Sequence, residues 1–506
     1  MAQQIKYPAT VDKHPDYDDT IEPLEEVRDC VVGAWRIKQE GIKYLKHPSD
    51  TDTTSDAAQV RYAAYKDNAE FDDFVNLTLR GWIGKMRIAD TTIETPDRLN
   101  YLIQNADGDG TPLVTAIESA VSNAFQTKYH ILLADYQGLS DVELTELSRA
   151  DAAELSPRAT IKQYTRESLV DWDFRRINGV MQLAYMKLKE WSYDFNPETE
   201  ERTLVETDLI LGLDSEGNYY QKKVVGGQPG ERDYVTVNGG QPLKWIPAQI
   251  VCDEPLPVGA LPRGMGMLYP ISQLALYRYR ISAAYKEMLN GLPPTIFTKG
   301  WQPMDQDTFE EINGRGNIAL GPKCVNNLPG NVEFDILSPD SKDEAFLKYF
   351  EDNANKVRAL GGIFKDKPKS TRTATEADME ASEQNASLTS VAQQSEAAWR
   401  RVIAYCGMFE NLWTQDDIEQ NLEQIVVDMP RDFATPKFTR EEVQAVYDGI
   451  TQGVYTREQA VTLLAQNGWG TGEDVETWIA ALESELPPIS RTPTPQQREV
   501  DTGQTS

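Results

Sequence analysis

Along this chain the apolar positions follow a helical spacing, then alternate, then return to a helical spacing. After Pro23, which suits a first helical turn, Leu24, Val27, Val31 and Ala34 recur every three or four residues and predict a helix. A second helix is predicted from Ala57 to Leu79, with Tyr62, Tyr65, Phe74 and Leu77 to pack and Gly81 to end it. Asn105-Ala-Asp-Gly-Asp-Gly110 reads as a turn. Thr111 and Pro112 then serve as cap and first residue of a helix running to about Phe125, and Tyr129 to Leu133 reads as a strand. From Thr160 to about Val251, short runs of β-formers are broken by Asp214-Ser-Glu-Gly217, Gly226-Gly227 and Asn238-Gly239-Gly240. Leu204–Leu213 and Tyr219–Val225 read as a hairpin.

The helical period returns with Ile271, Leu274, Ala275, Ile281, Ala284 and Leu289, and stops at Asn290-Gly291 before Pro293-Pro294. A mixed stretch from Pro293 to Pro339 holds two predicted strands, Asn317 to Leu320 and Val332 to Ile336. A helix from Lys342 to Leu360 is stopped by Gly361-Gly362, and a basic loop, Lys365 to Arg372, follows. The longest helical pattern runs from Ala374 to about Trp413, opened by a capping box of Thr373 and Glu376. No proline interrupts it, and at ~1.5 Å per residue it extends on the order of 60 Å. Two further capping boxes, Thr439 with Glu442 and Thr456 with Gln459, open short helices, and another helix is expected near Asp474 to Leu486. The tail, Pro487 to Ser506, has the composition of a disordered segment. Taken together the pattern predicts an α+β fold, mainly helical with a β-rich middle.

Charge narrows the functional classes. The 506 residues carry a net charge of -30. Proteins that grip a nucleic-acid backbone do so with Lys and Arg, so this chain is not a general DNA binder. It fits basic partners, or a surface that surrounds a polyanion without holding it. Cys30, Cys252, Cys324 and Cys406 are far apart with no CxxC pair, which points to reduced thiols rather than a zinc or redox motif. No signal peptide is legible at the N-terminus, and no apolar run approaches the ~18 residues of a membrane span.

Motifs for chemistry are weak. His14, His47 and His130 have no partner evident by sequence, and His130 in an apolar strand reads as structural. Asn105-x-Asp107-x-Asp109-Gly110 matches the opening of a calcium loop, but the twelfth position, where a bidentate Glu is needed, is Ala116. Gly316 to Lys323 is a near miss to a phosphate-binding loop. Its lysine is one place late, no Ser or Thr follows, and Pro322 removes a needed N–H. No catalytic residue, cofactor or metal is expected, and the chain is read as not an enzyme. The four basic residues Lys365, Lys367, Lys369 and Arg372 remain. The plainer reading is a solvated loop; the functional one is a polyanion contact.

Three stretches resemble the portal proteins of tailed bacteriophages. Tyr164-x(5)-Val170-x-Trp172 with Ile177-Asn178-Gly179 is similar to a "Tyr … Ile-Asn-Trp … Asn-Gly" signature of one portal subfamily. Leu276-Tyr-Arg-Tyr-Arg-Ile-Ser-Ala-Ala-Tyr285 through Leu292 to Gly300 resembles its "His-Tyr-Arg-x-Ser-Ala-Asp-Tyr … Pro-x-Pro … Gly" segment, with Ala284 where Asp is usual. Ala374-Thr-Glu-Ala377 is similar to a recurrent "Thr-Ala-Thr-Glu". The resemblance implies a virion protein at a capsid vertex. Twelve copies would form a ring around a channel for double-stranded DNA packaging and ejection, with no membrane involved. It divides the chain into a wing (1–268), a stem helix (269–291), a clip (292–340) and a second stem helix (341–362). A tunnel loop (363–373), a long wing helix with its return (374–430), a helical crown (431–486) and a tail (487–506) follow. It implies as partners the terminase large subunit and then the head-tail adaptor at the clip, with major capsid and scaffolding proteins around the wing. Lys365, Lys367, Lys369 and Arg372 would line the narrowest part of the channel. The alternative is another oligomeric virion part without a DNA channel, such as an adaptor or minor capsid protein; adaptors are generally far shorter.

Overall fold

The computed structural model describes residues 13–48, 53–136, 158–177, 179–291, 295–299, 303–313, 333–337, 343–363, 374–431 and Gln459. The chain divides into two compact units, residues 1–431 and 432–506, and the first contains every described residue but Gln459. The expected strand Asn317–Leu320, Gly316–Lys323, Cys324, Thr373, the helices after Thr439, Thr456 and Asp474, and the tail lie outside the described residues. Helices and sheets both build the first unit, so the fold is α+β.

Helix α1 (Pro15–Val32) begins before the expected start. His14 caps it, its Nδ1 accepting from the Asp16 amide at 3.2 Å. Pro23 therefore sits inside the helix and not in its first turn. A mid-helix proline costs about 3 kcal/mol, and burial of Leu24, Val27 and Cys30 on the same helix offsets it. Gly33, at φ 99°, turns the chain into α2 (Ala34–Glu40); a Cβ there would lie 2.7 Å from the Asp73 carboxylate.

The single helix expected from Ala57 to Leu79 is two, α3 (Asp56–Asn68) and α4 (Phe74–Met86). Tertiary contacts break it: Phe71 is buried, and Ser282 Oγ accepts from the Glu70 amide and donates to the Glu70 carbonyl, both at 2.9 Å. Gly81 does not end α4, which continues to Met86 and stops at Arg87 in the left-handed conformation. Its missing side chain instead leaves room for Ile363.

After strand β1 (Thr92–Glu94), α5 (Leu113–Thr127) starts one residue later than expected, with Pro112 extended outside it. The α5 helix and the later long helix cover a three-stranded antiparallel sheet made of β2 (Tyr129–Tyr136), β3 (Ala159–Thr165) and a later strand, β8 (Ala248–Cys252), in the order β8-β2-β3. Residues Tyr129 to Asp135 of β2 are all buried, which makes this sheet the centre of the core.

The β-rich middle is as expected. Strands β4 (Leu169–Ile177), β5 (Val180–Asn196), β6 (Glu201–Leu213) and β7 (Tyr219–Val225) are sequential antiparallel neighbours, extended by short strands 228–229 and 233–234. β5 and β6 outrun their neighbours: β4 pairs with β5 only through Leu188, and β7 pairs with β6 only from Thr207 onward. β8 (Ala248–Cys252) then returns to the first sheet.

Helix α6 (Tyr269–Gly291) follows, then β9 (Thr295–Lys299), α7 (Pro303–Asn313), β10 (Glu333–Leu337) and α8 (Asp343–Ala359). β9 and β10 pair antiparallel, Thr295 opposite Leu337 and Lys299 opposite Glu333. The long helix α9 (Ala374–Phe409) stops short of Trp413. Asn411 turns the chain with φ 55°, and Trp413 folds back onto Gly407, where a Cβ would collide with its ring. β11 (Val426–Asp428) closes the unit by pairing with β1.

Candidate functional site

Lys365, Lys367, Lys369 and Arg372 lie outside the described residues. What the structure describes is the frame that carries them. The frame starts with α6 and α8, which pack side by side. Tyr285, late in α6, meets Phe346 and Phe350, early in α8, at ring distances of 5.2 and 5.9 Å. Leu274, early in α6, accepts through its carbonyl from Asn353 Nδ2 at 3.2 Å. Late residues of one helix meet early residues of the other, so the pair is antiparallel.

Arg278 joins this pair to the helical layer. Its guanidinium lies 4.7 Å from the Phe350 ring centre, donates to the Phe350 carbonyl at 3.0 Å and pairs with Asp72. Such a planar cation suits a ring face and a carboxylate at once. Arg280 adds a bond to the Tyr44 carbonyl at 2.8 Å. The paired helices are thereby fixed to α1–α4 at several points.

The start of the basic loop is equally fixed. Gly361, at φ 77°, and Gly362 cap α8, the Gly362 amide donating to the Val357 carbonyl at 2.9 Å. Trp82 Nε1 donates to the Gly361 carbonyl at 3.0 Å, and the Ile363 amide donates to Thr78 Oγ1 at 2.9 Å. Thr78 and Trp82 lie one turn apart on α4 and are both buried. Ile363, the last described residue before the basic segment, is therefore a pinned point, and the chain is described again from α9. From Leu388 onward α9 is anchored by buried Val391, Ala392, Trp399, Val402 and Ile403.

The exposed face of α8 carries Glu344, Glu351 and Asp352 against Lys348 and Lys356, together with Leu347. Acids and bases interleave there, and no basic stripe forms along the helix.

The other residues singled out by sequence make structural contacts. His14 caps α1 and stacks on Trp172 at 3.8 Å. His47 stacks on Tyr62 at 5.4 Å and lies 3.0 Å from the Ala58 carbonyl. His130 is buried and contacts Gln163 Oε1 at 2.9 Å; burial pushes its pKa down to about 4. Asn105 Oδ1 accepts from the Gly108 and Gly110 amides, and Asp107 Oδ1 from those of Asp109 and Thr111, which is turn chemistry. Cys30, Cys252 and Cys406 are free and buried, and burial pushes the Cys252 thiol up to about 12. Among the described residues no group of three or more His, Cys, Asp or Glu is placed to hold a metal ion, and no helix is long and apolar enough to cross a membrane.

Sequence reasoning missed Arg278 and the Thr78–Trp82 pins, since nothing local marks a long-range hydrogen bond. It also missed the aromatic alternation of Trp191, Tyr193 and Phe195 on β5, which was there to be read.

No protein-family model matches the chain, and no curated protein matches it. Among solved structures, a chain from "Neck of empty GTA particle computed with C6 symmetry" is similar at 12% identity and a TM-score of 0.38. The match covers 77% of this chain and 89% of that one.

Proposed function

We propose that this chain is a portal subunit: a ring-forming virion protein whose central channel passes double-stranded DNA and whose clip docks the packaging motor and later the tail adaptor. In this reading it is not an enzyme. The observation that carries the reading is the antiparallel α6–α8 pair on either side of an insert in which β9 and β10 pair, followed by a pinned Gly361–Ile363 exit and, further along the chain, a long helix. That order is the stem–clip–stem–tunnel-loop–wing order implied by the resemblance.

The physics supports it. A channel wall that bound phosphates would release counterions, gain affinity and stall the moving duplex. The net charge of -30 and the interleaved face of α8 give no such grip. Four cations per subunit on residues 365–372 would form a narrow positive collar in an acidic tube, able to guide or brake the duplex.

Electron microscopy of the purified chain tests this directly. A ring with a central opening wide enough for a duplex is expected; a monomer, or an assembly with a closed centre, would overturn it. Replacing Lys365, Lys367, Lys369 and Arg372 together by Gln should change DNA packaging or retention in assembled particles. Unchanged packaging would remove the collar from the mechanism.

A further inference from the structure

Beyond Lys189 on β5 and before Thr207 on β6, the hairpin leaves its sheet as a two-stranded ribbon, with residues 191–196 and 201–204 exposed. β4 pairs with β5 only through Leu188, so the outer edge of β5 over residues 190–196 has no partner strand among the described residues. On the β6 side the Gly226 amide donates to the Glu206 carbonyl at 3.2 Å and closes part of that edge. The β5 edge is therefore the longer bare one. A ribbon of two strands is at best marginally stable in water, and a bare edge invites a further strand.

Side chains alternate between the two faces of the ribbon. Trp191, Tyr193 and Phe195 share one face, with Glu206, Leu204 and Arg202 directly opposite them. The three rings and Leu204 are each about half exposed or more, Tyr193 at 68%. Two of these rings already receive a cation. Lys189 Nζ lies 5.8 Å from the Trp191 ring centre, and the Arg202 guanidinium lies 5.8 Å from that of Phe195.

Charge at the base of the ribbon cancels. Lys187 pairs with Asp208 at 3.0 Å and Lys189 with Glu206 at 3.1 Å, and Glu190 accepts from the Tyr164 hydroxyl at 2.6 Å. The outer half is different. Asp194 and Glu201 lie on the face away from the rings, Glu198 and Glu200 lie in the turn, and all four are exposed. None of the four carboxylates forms an ion pair with a described residue. Arg202 is the one basic residue between positions 190 and 206, and it lies over a ring.

We infer that the bare edge of β5 at residues 190–196 docks an extended basic segment of a different polypeptide, added to the ribbon as a further strand. Main-chain hydrogen bonds along such an edge hold the segment, and alternate side chains select it. On one face its apolar side chains cover Trp191, Tyr193 and Phe195. On the other, and at the tip, its lysines or arginines meet Asp194, Glu198, Glu200 and Glu201. Charge complementarity decides the occupant. The unpaired carboxylates favour cations, as do exposed aromatic rings. They repel an acidic strand, and a second copy of this chain brings a net charge of -30. This docking stands on the ribbon and does not rest on the channel reading.

The probe is a blocked peptide of about eight residues, alternating lysine and valine, added to the full chain in whatever assembly it forms. Fluorescence anisotropy of the labelled peptide should show saturable binding, and hydrogen exchange should slow within residues 190–196. A peptide alternating glutamate and valine should not bind. An all-lysine peptide of the same length should bind more weakly despite its greater charge. Two variants at exposed positions, W191S/Y193S and D194N/E198Q/E200Q/E201Q, are first checked for wild-type circular dichroism and melting. Each should raise the Kd about tenfold or more, the second by the sum of several weak surface charge contacts. Equal binding by the all-lysine peptide, or wild-type affinity in either variant, would overturn the docking, since the chain's overall acidity would then be the attraction. A duplex-wide ring that binds no peptide sinks the docking and leaves the channel reading standing. A monomer that binds it as described sinks the channel reading and keeps the docking.

Discussion

His130 is held neutral by its surroundings. It is buried in β2, contacts Gln163, and its Nδ1 has no hydrogen-bond partner among the described residues. Its folded pKa of about 4 lies below the ordinary 6.5, so between these values the unfolded chain binds the proton and the folded one does not. Stability is therefore untouched above pH 6.5 and falls as pH drops toward 4, by roughly 3 kcal/mol in full. Denaturant titrations across that range should show the loss, and His130→Gln should flatten it; an unchanged slope in the variant would refute the assignment. Two glycines make a matched test of backbone space. A Cβ at Gly362 would lie 2.8 Å from the Val357 carbonyl oxygen, whereas one at Gly84 meets nothing within 4 Å. Gly362→Ala should lower the melting temperature by disturbing the exit from α8. Gly84→Ala should raise stability by about 1 kcal/mol, the ordinary helix-interior difference.

Elements in this fold are held in place by a few polar pins as much as by apolar faces. Arg400 on α9 donates to the Ile425 carbonyl at 3.0 Å and the Leu422 carbonyl at 2.8 Å, which positions β11 against β1. Arg400→Met would keep the packing and strand both carbonyls. It should cost about 1–3 kcal/mol, and hydrogen exchange should quicken at Thr92–Glu94 and Val426–Asp428 more than in β2. The ribbon gives an element-scale contrast. In the monomer, amides of residues 190–196 and 201–206 should exchange faster than those of 184–188 and 209–213, where the same strands lie on the core. Equal protection along the hairpin would mean that the ribbon is supported within its own subunit.

At the scale of the whole molecule, 80 acidic residues against 50 basic ones make self-repulsion a standing term in stability. Salt shortens its range, from about 30 Å at 0.01 M to about 8 Å at 0.15 M. The melting temperature of the isolated chain should rise over that interval, and a fall would mean that attractive surface pairs dominate. The same surplus makes the isolated chain a poor ligand for duplex DNA. A gel-shift titration at physiological salt should show no complex, since net repulsion leaves a four-cation loop too little to hold a free duplex.

What the chain determined by itself is the order of its main helical and β-rich stretches, because periodicity and capping act over a few residues; α2, α7 and the short strands β1, β9 and β11 carried no such signal. The β-rich middle, the hairpin turn at Asp214–Gly217, α6 and α8 with the gap between them, and the long α9 were all legible. Tertiary structure decided where helices break and which side chains meet. Pro23 sits inside α1 because buried neighbours offset its lost bond. The helix through Ala57–Leu79 is cut because Ser282, far along the chain, binds the Glu70 backbone. Gly81 packs on Ile363 instead of ending a helix, and the same contact region fixes the start of the basic loop. Of the candidate site, the sequence shows the cations of residues 365–372 and the order around them. The frame that precedes them in the chain, Arg278 on Phe350 and Asp72 and the Thr78–Trp82 pins, joins residues some 70 to 290 positions apart. No local pattern encodes such a join; only the folded chain brings those groups within hydrogen-bonding distance.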